Sequence, residues 1–244
     1  MRRPAVWLLL AAALAGCDGL PGRPRPDARE LARADVLAFP TLYAANCAGC
    51  HGADGRLGAA RPLNDPVYVA LVPPDRLRKI IAEGVPGTLM PAYLQAAGGE
   101  LTAAQVDAIA RGIRAQWGRP DSVKGVALPP YEASAAGEAP ADVARGAAVF
   151  AAACARCHGA EGTGAAPGGP VADPTYLALV SDQHLRTTVI AGRPDLGKPD
   201  WRGDVPGQPL MPQQISDVVA WRAGQLRPVP GRPALDAAAA GPRS

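Results

Sequence analysis

Apolar positions recur at helical spacing along this chain, and they do so twice in the same order. Residues 36–46 and 143–153 each have the pattern of a helix that runs into a pair of cysteines, and the segments around Leu77 and Leu185 repeat the spacing. A further amphipathic helix closes each set. In the first, Val106, Ile109, Ile113 and Trp117 form one stripe, preceded by Leu101-Thr102-Ala-Ala-Gln105, which has the form of a capping box. In the second, Ile215, Val218 and Val219 begin the equivalent helix and Pro228 follows its end. The pattern predicts a mainly α protein.

The two sets are an internal repeat. Cys47-Ala-Gly-Cys-His51 matches Cys154-Ala-Arg-Cys-His158, DPVYVALV from Asp65 matches DPTYLALV from Asp173, and Leu77-Arg78 matches Leu185-Arg186. After one inserted residue near Gly164 the register runs without a gap through the loop in which GVPGTLMPAY from Gly84 lies over GRPDLGKPDW from Gly192 and Met90 faces Lys198. The organisation that follows is two domains at 34–120 and 141–227, joined by a linker at 121–140 rich in Pro, Gly, Ala and Ser. A tail at 228–244 has no apolar periodicity and is expected to be disordered.

Ahead of the repeats, Arg2 and Arg3, then an apolar run from Ala5 to Leu14, then small residues have the layout of an export signal at 1–16. The run is too short for a mature membrane anchor. Its end, Leu14-Ala15-Gly16-Cys17, resembles a bacterial lipobox, which implies lipidation of Cys17 and a Pro- and Arg-rich tether at 17–33. The alternative is an ordinary secretory signal with Cys17 an incidental thiol. Two tight cysteine pairs and Cys17 account for all five cysteines, which leaves none for a disulfide framework. A formal net charge of +3 gives no electrostatic case for nucleic acid. Aromatic residues make up only 5% of the chain and small residues dominate its apolar fraction, so side chains alone would build thin cores. A bulky apolar cofactor would fit that deficit.

C-x-x-C-H is the attachment signature of c-type haem, in which two thiols add to the haem vinyls and the adjacent His becomes the proximal ligand of the iron. Cys47, Cys50 and His51 supply it in the first repeat, and Cys154, Cys157 and His158 in the second. A thioredoxin-like pair would need a βαβ pattern absent here, and a zinc site would need a second ligand pair in each copy. With these residues in place, the chain resembles a tandem di-haem c-type cytochrome of two class I cytochrome c domains. The resemblance implies two covalently attached haem c groups, each inside a three-to-four-helix fold, with a Met from the loop ahead of the last helix on the far side of the iron.

Met90 fits that place in the first domain. In the second, Lys198 stands at the matching position and Met211-Pro212 comes later, overlying Thr102 at the start of the last helix. Register favours Lys198 as sixth ligand, whereas the thioether of Met211 is the better donor to ferrous haem; an open or otherwise ligated second iron is the third option. In this family a Gly on the first helix usually crosses an aromatic on the last. Gly146 and Trp221 match in the second domain, whereas Phe39 and Gly112 exchange bulk and space in the first, so Phe39 is expected over Gly112 and Trp221 over Gly146. His184, aligned with Arg76, is expected to be a solvated surface residue, with a distal role as the minor reading. Arg78 and Arg186, with Tyr68 and Tyr176, recur as either propionate partners or ordinary surface Arg and core Tyr.

The function implied is one-electron transfer, not catalysis, by a lipid-anchored protein of the bacterial cell envelope. It would face the periplasm and be held through Cys17 to a membrane, with Asp18 favouring the inner one. Its expected partners are redox proteins or a membrane oxidoreductase complex of a respiratory or photosynthetic chain. The alternative is a di-haem peroxidase-like enzyme with an open second haem.

Overall fold

The computed structural model describes residues 32–133, 137–164, 168–203 and 208–225. The export signal, Cys17, most of the tether and the tail lie outside them. The chain divides into Met1–Val36 and Leu37–Ser244, and both repeats, apart from residues 34–36, fall in the second unit. Among the described residues of the first, Arg33–Asp35 form a 3-10 turn.

In the first repeat, helices α1 (Phe39–Asn46), α2 (Ala48–His51), α3 (Pro66–Leu71), α4 (Pro74–Glu83) and α5 (Ala103–Trp117) follow one another. The second repeats the order as α6 (Val143–Ala153), α7 (Ala155–His158), α8 (Pro174–Leu179), α9 (Asp182–Ala191) and α10 (Pro212–Ala223). The described residues contain no strand, only two isolated bridges. This is the tandem, mainly α architecture that the periodicity predicts.

Local chemistry explains the boundaries. The repeated Asp-Pro of DPVYVALV and DPTYLALV is a helix start: Asp65 Oδ1 accepts from the backbone N–H groups of Val67 and Tyr68, Asp173 Oδ1 accepts from that of Tyr176, and each Pro takes the first helical position. Before α5 the capping box is complete, with Gln105 N donating to Thr102 Oγ1 at 3.3 Å and Thr102 N donating to Gln105 Oε1 at 3.0 Å. Helix α1 begins at Phe39, later than the apolar spacing suggests. Pro40 lacks an N–H and is tolerated only in a first turn.

Helix α1 packs on α5 and α6 on α10, so each repeat closes by bringing its first helix against its last. Val106, Ile109 and Ile113 of α5 are buried to 1% exposure or less, as are Ile215 and Val218 of α10. Helix α9 of the second repeat touches α3 of the first. The linker is strapped down across this join. Pro130 O accepts from Arg186 at 3.1 Å, Tyr131 O accepts from Gln183 Nε2 at 2.8 Å, and Glu138 forms a buried ion pair with Arg186 at 3.0 Å. No helix among the described residues is long and apolar enough to cross a membrane.

Candidate functional site

Each cysteine pair and its histidine share one short turn. Cys47 is the N-cap of α2 and Cys154 that of α7, so Cys50, His51, Cys157 and His158 follow within the next turn. Thiols three residues apart on a helical turn lie on one face. All four cysteines are free. Burial, with the neighbouring thiol adding to it, pushes Cys47 up to about 11. Cys154 is raised as well, chiefly by burial.

A backbone carbonyl then orients each imidazole. His51 Nδ1 lies 2.7 Å from Arg61 O, and His158 Nδ1 lies 2.8 Å from Gly169 O. A carbonyl oxygen only accepts, so Nδ1 carries the proton in both rings and the lone pair sits on Nε2, the arrangement of a metal-ligating histidine. Burial lowers both imidazoles below their ordinary range, which keeps that lone pair available. The carbonyl lies ten residues beyond the His in the first repeat and eleven in the second, so the inserted residue near Gly164 is absorbed inside this loop. The second loop also passes close to its ring: a Cβ on Gly168 would stand 2.8 Å from His158 Nδ1.

The two ligand loops are closed in the same way, although the second alone winds a 3-10 turn, at Pro194–Leu196. Val85 N donates to Met90 O at 3.0 Å, and Arg193 N donates to Lys198 O at 3.2 Å. The glycine that ends the preceding helix is left-handed in both, with φ of 70° at Gly84 and 71° at Gly192. A Cβ there would meet Met90 O at 2.6 Å or Pro199 O at 2.3 Å. Met90 and Lys198 therefore stand at structurally equivalent positions. Met211 does not share them: it is the N-cap of α10 and 61% exposed, with its N–H donating to Gln214 Oε1 at 2.8 Å. The Lys198 ammonium donates to Gly168 O, and burial, aided by the Arg193 guanidinium, lowers its affinity for the proton.

One cavity of about 1930 Å3 joins both sites. Cys47, Cys50, His51 and Met90 line it from the first repeat, and Cys154, Cys157, His158 and Lys198 from the second. A pocket for one small ligand is ~300–1,000 Å3. The volume, the paired free thiols and the two imidazoles with Nε2 unprotonated fit two covalent haems.

His184 is a correction. It is not a solvated surface residue: it lines this cavity, with its ring 6.4 Å from that of Tyr176. Burial first, then the charges of Arg61, Arg222 and Arg193, push it down to about 3. The half-buried Arg76, its partner in the alignment, also reaches the cavity wall, and α9 is drawn further in by packing against α3 of the other repeat. Arg78 and Arg186 also part company. Arg78 pairs with Asp107 at the surface, whereas Arg186 is held by Glu138, Ser216 and Pro130.

Arg61 and Arg222 were not among the expected site residues. Both line the cavity, at 7% and 6% exposure. A signal for them exists in the repeat itself: the loop register pairs Arg61 with Gly169, and aligning the last helices by their N-caps, Thr102 and Met211, pairs Arg222 with Ile113, a buried cation facing an uncharged residue each time.

Comparison with known families agrees with this geometry. Residues 34–111 match the family described as cytochrome C oxidase, cbb3-type, subunit III, and residues 143–222 match cytochrome c. No curated protein matches the chain. Among solved structures, a chain of the reducing HAO-like protein complex of Kuenenia stuttgartiensis is similar at a TM-score of 0.43 and 15% identity, over 81% of this chain and 98% of that one.

Proposed function

The chain carries two cytochrome c domains in tandem, each built for a covalent haem c, and from that premise we propose that it is an electron carrier passing single electrons between partner proteins through its two haems. The observation that carries this reading is the shared cavity, whose walls hold both attachment motifs within one compact unit. Bound haem supplies an iron that cycles between Fe(III) and Fe(II). The chain's own residues fix the cofactors and set their potentials. Cys47 and Cys50 hold the first, Cys154 and Cys157 the second, and His51 and His158 present Nε2 because Arg61 O and Gly169 O hold the other ring nitrogen.

On the far side we assign Met90 to the first haem and Lys198 to the second. The equivalence of the two loops supports Lys198 over Met211, which would have to leave the start of α10 to reach the cavity. A thioether stabilises Fe(II) and a nitrogen donor favours Fe(III), so with these ligands the first haem would have the higher potential and would accept electrons from the second.

Partners and location rest on the sequence. The export signal and the lipobox ending in Cys17 support a periplasm-facing protein held to the inner membrane by lipid, serving redox proteins or an oxidoreductase complex there. A potentiometric titration of the holoprotein followed in the visible spectrum tests the central claim: two separate one-electron steps are expected, and one unresolved step would remove the directional reading. One observation favours a second reading, a peroxidase-like enzyme, because His184 gives the cavity an imidazole that is not part of an attachment motif. A high-spin ferric second haem that reacts rapidly with peroxide would support the enzyme; two low-spin haems would exclude it.

A further inference from the structure

Of the three buried arginines that line the cavity, Arg186 is fully engaged by Glu138, Ser216 and Pro130, whereas Arg61 and Arg222 each hold one N–H with nothing to donate to. Arg61 Nη2 crosses to the second repeat and donates to Thr188 Oγ1 at 2.7 Å, and its guanidinium lies over the Tyr68 ring at 4.9 Å, but Nη1 has no acceptor. Arg222 Nη2 donates to Val171 O at 2.8 Å, and Nε has no acceptor. Neither the Thr188 hydroxyl nor the Val171 carbonyl is charged. The carboxylate of Asp65, close enough to attract Arg61, commits Oδ1 to capping α3 and leaves Oδ2 without a donor, so it does not take up Nη1. Two guanidiniums at 7% and 6% exposure are thus taken out of water with part of their hydrogen-bonding capacity unused. Burial of a guanidinium on these terms opposes folding unless an anion compensates.

The missing partner has to be anionic, rich in acceptors and inside the cavity. A haem c group meets all three conditions, because it carries two carboxylates and is held here by the cysteine pairs. We infer that Arg61, through Nη1, and Arg222, through Nε, bind the carboxylates of the haems. This rests on the haems being in place and is independent of who donates or accepts electrons.

The assignment gives each arginine a specific place. The carbonyl of Arg61 fixes the His51 ring while its side chain reaches Thr188 in the other repeat, so one residue ties a haem carboxylate, a proximal histidine and the join between repeats together. Arg222 stands where the first repeat has Ile113, itself only 1% exposed, so the second site holds a fixed cation at a position where the first has a hydrocarbon. A cation there favours the reduced, less positive haem and offsets part of the lowering that an amine ligand causes.

The test uses the full holoprotein with the haem carboxylate carbons labelled with 13C. Haem content per chain is measured first, and two per chain establishes the loading on which the inference depends. Redox-difference infrared spectra are then compared for native protein, Arg61→Leu, Arg222→Leu and the two Arg→Lys variants. Each Leu variant is expected to shift labelled carboxylate bands and to lower the midpoint potential of one haem. The Lys variants are expected to keep the potential near native while still shifting the bands, because the guanidinium fork is lost. If a Leu variant does not load haem, the Lys variant at that position still reports on the bands. Labelled bands that stay in place in fully loaded variants overturn the assignment, even if the potentials move.

Discussion

The ring of Phe39 occupies the space that a Cβ on Gly112 would need, with ring Cγ only 2.2 Å from that point. The ring also meets Trp117 edge-on, with centroids 5.5 Å apart. Gly112 is a helix-interior glycine kept for its lack of a side chain. Gly112→Ala gains ~0.8–1.0 kcal/mol of helix propensity but inserts a methyl into an occupied site, at ~1–3 kcal/mol. Swinging the half-buried ring outward moves Cγ but not Phe39 Cβ, which stands 2.7 Å from the same point, so the net loss is expected to be about 1–2 kcal/mol in urea unfolding. Adding Phe39→Ala should abolish the clash, and a double-mutant cycle without coupling would contradict it.

The second repeat makes the same crossing with the roles exchanged and with less slack. A Cβ on Gly146 would lie 2.0 Å from the backbone oxygen of Asp217 and 2.8 Å from Trp221 Cβ. Backbone cannot rotate away as a ring can, so α6 and α10 would have to separate. Gly146→Ala is therefore expected to cost about 3 kcal/mol, clearly more than Gly112→Ala, in the same unfolding assay. Equal losses at the two sites would show that the helices are free to shift.

That exchange of bulk was legible in the sequence because the repeat supplies its own control: Phe39 lies over Gly146 in register, and Gly112 over Trp221. The cap at Thr102 was legible for another reason, since it depends on neighbours within three residues. The equivalence of Met90 and Lys198 is also local, set by one loop and the glycine before it. What the sequence did not show depends on the meeting of the repeats and the path of the linker. His184 is drawn into the cavity by the packing of α9 on α3, and Arg186 is claimed by Glu138 of the linker. Arg61 and Arg222 become conspicuous only once their hydrogen bonds are counted.

Replacing Lys198 by Met copies the first site into the second. Because one backbone hydrogen bond closes both loops at Met90 O and Lys198 O, Lys198→Met is expected to give the second haem the ligand-field bands of the first and to raise its potential. The two one-electron steps of the titration should then draw together. Met211→Ala should leave both haems as they are, because Met211 is exposed at the start of α10 and outside the cavity lining. A change in the second haem with Met211→Ala and none with Lys198→Met would reverse the assignment.

Acid stability should report on the α6–α10 crossing. Asp217, 2% exposed on α10, accepts from Arg145 Nε at 2.8 Å and Nη2 at 2.9 Å, from Gln213 Nε2 at 3.0 Å and from the Asp142 N–H at 2.9 Å. These bonds, the Arg145 guanidinium first, hold its carboxyl down to about 2 from an ordinary 3.8. A carboxyl whose affinity for the proton is lower in the folded chain than in the unfolded one stabilises the fold when ionised. The contribution is complete above the ordinary carboxylate range and is lost as pH falls from there through about 2. Asp217→Asn cannot ionise and lacks this contribution at every pH. Native protein should therefore exceed the variant in urea midpoint at pH 6, and the gap should close steadily between about pH 4 and pH 2. A gap that stays constant across that window would mean that Asp217 contributes through hydrogen-bond geometry alone and that its charge has no part in holding α6 to α10.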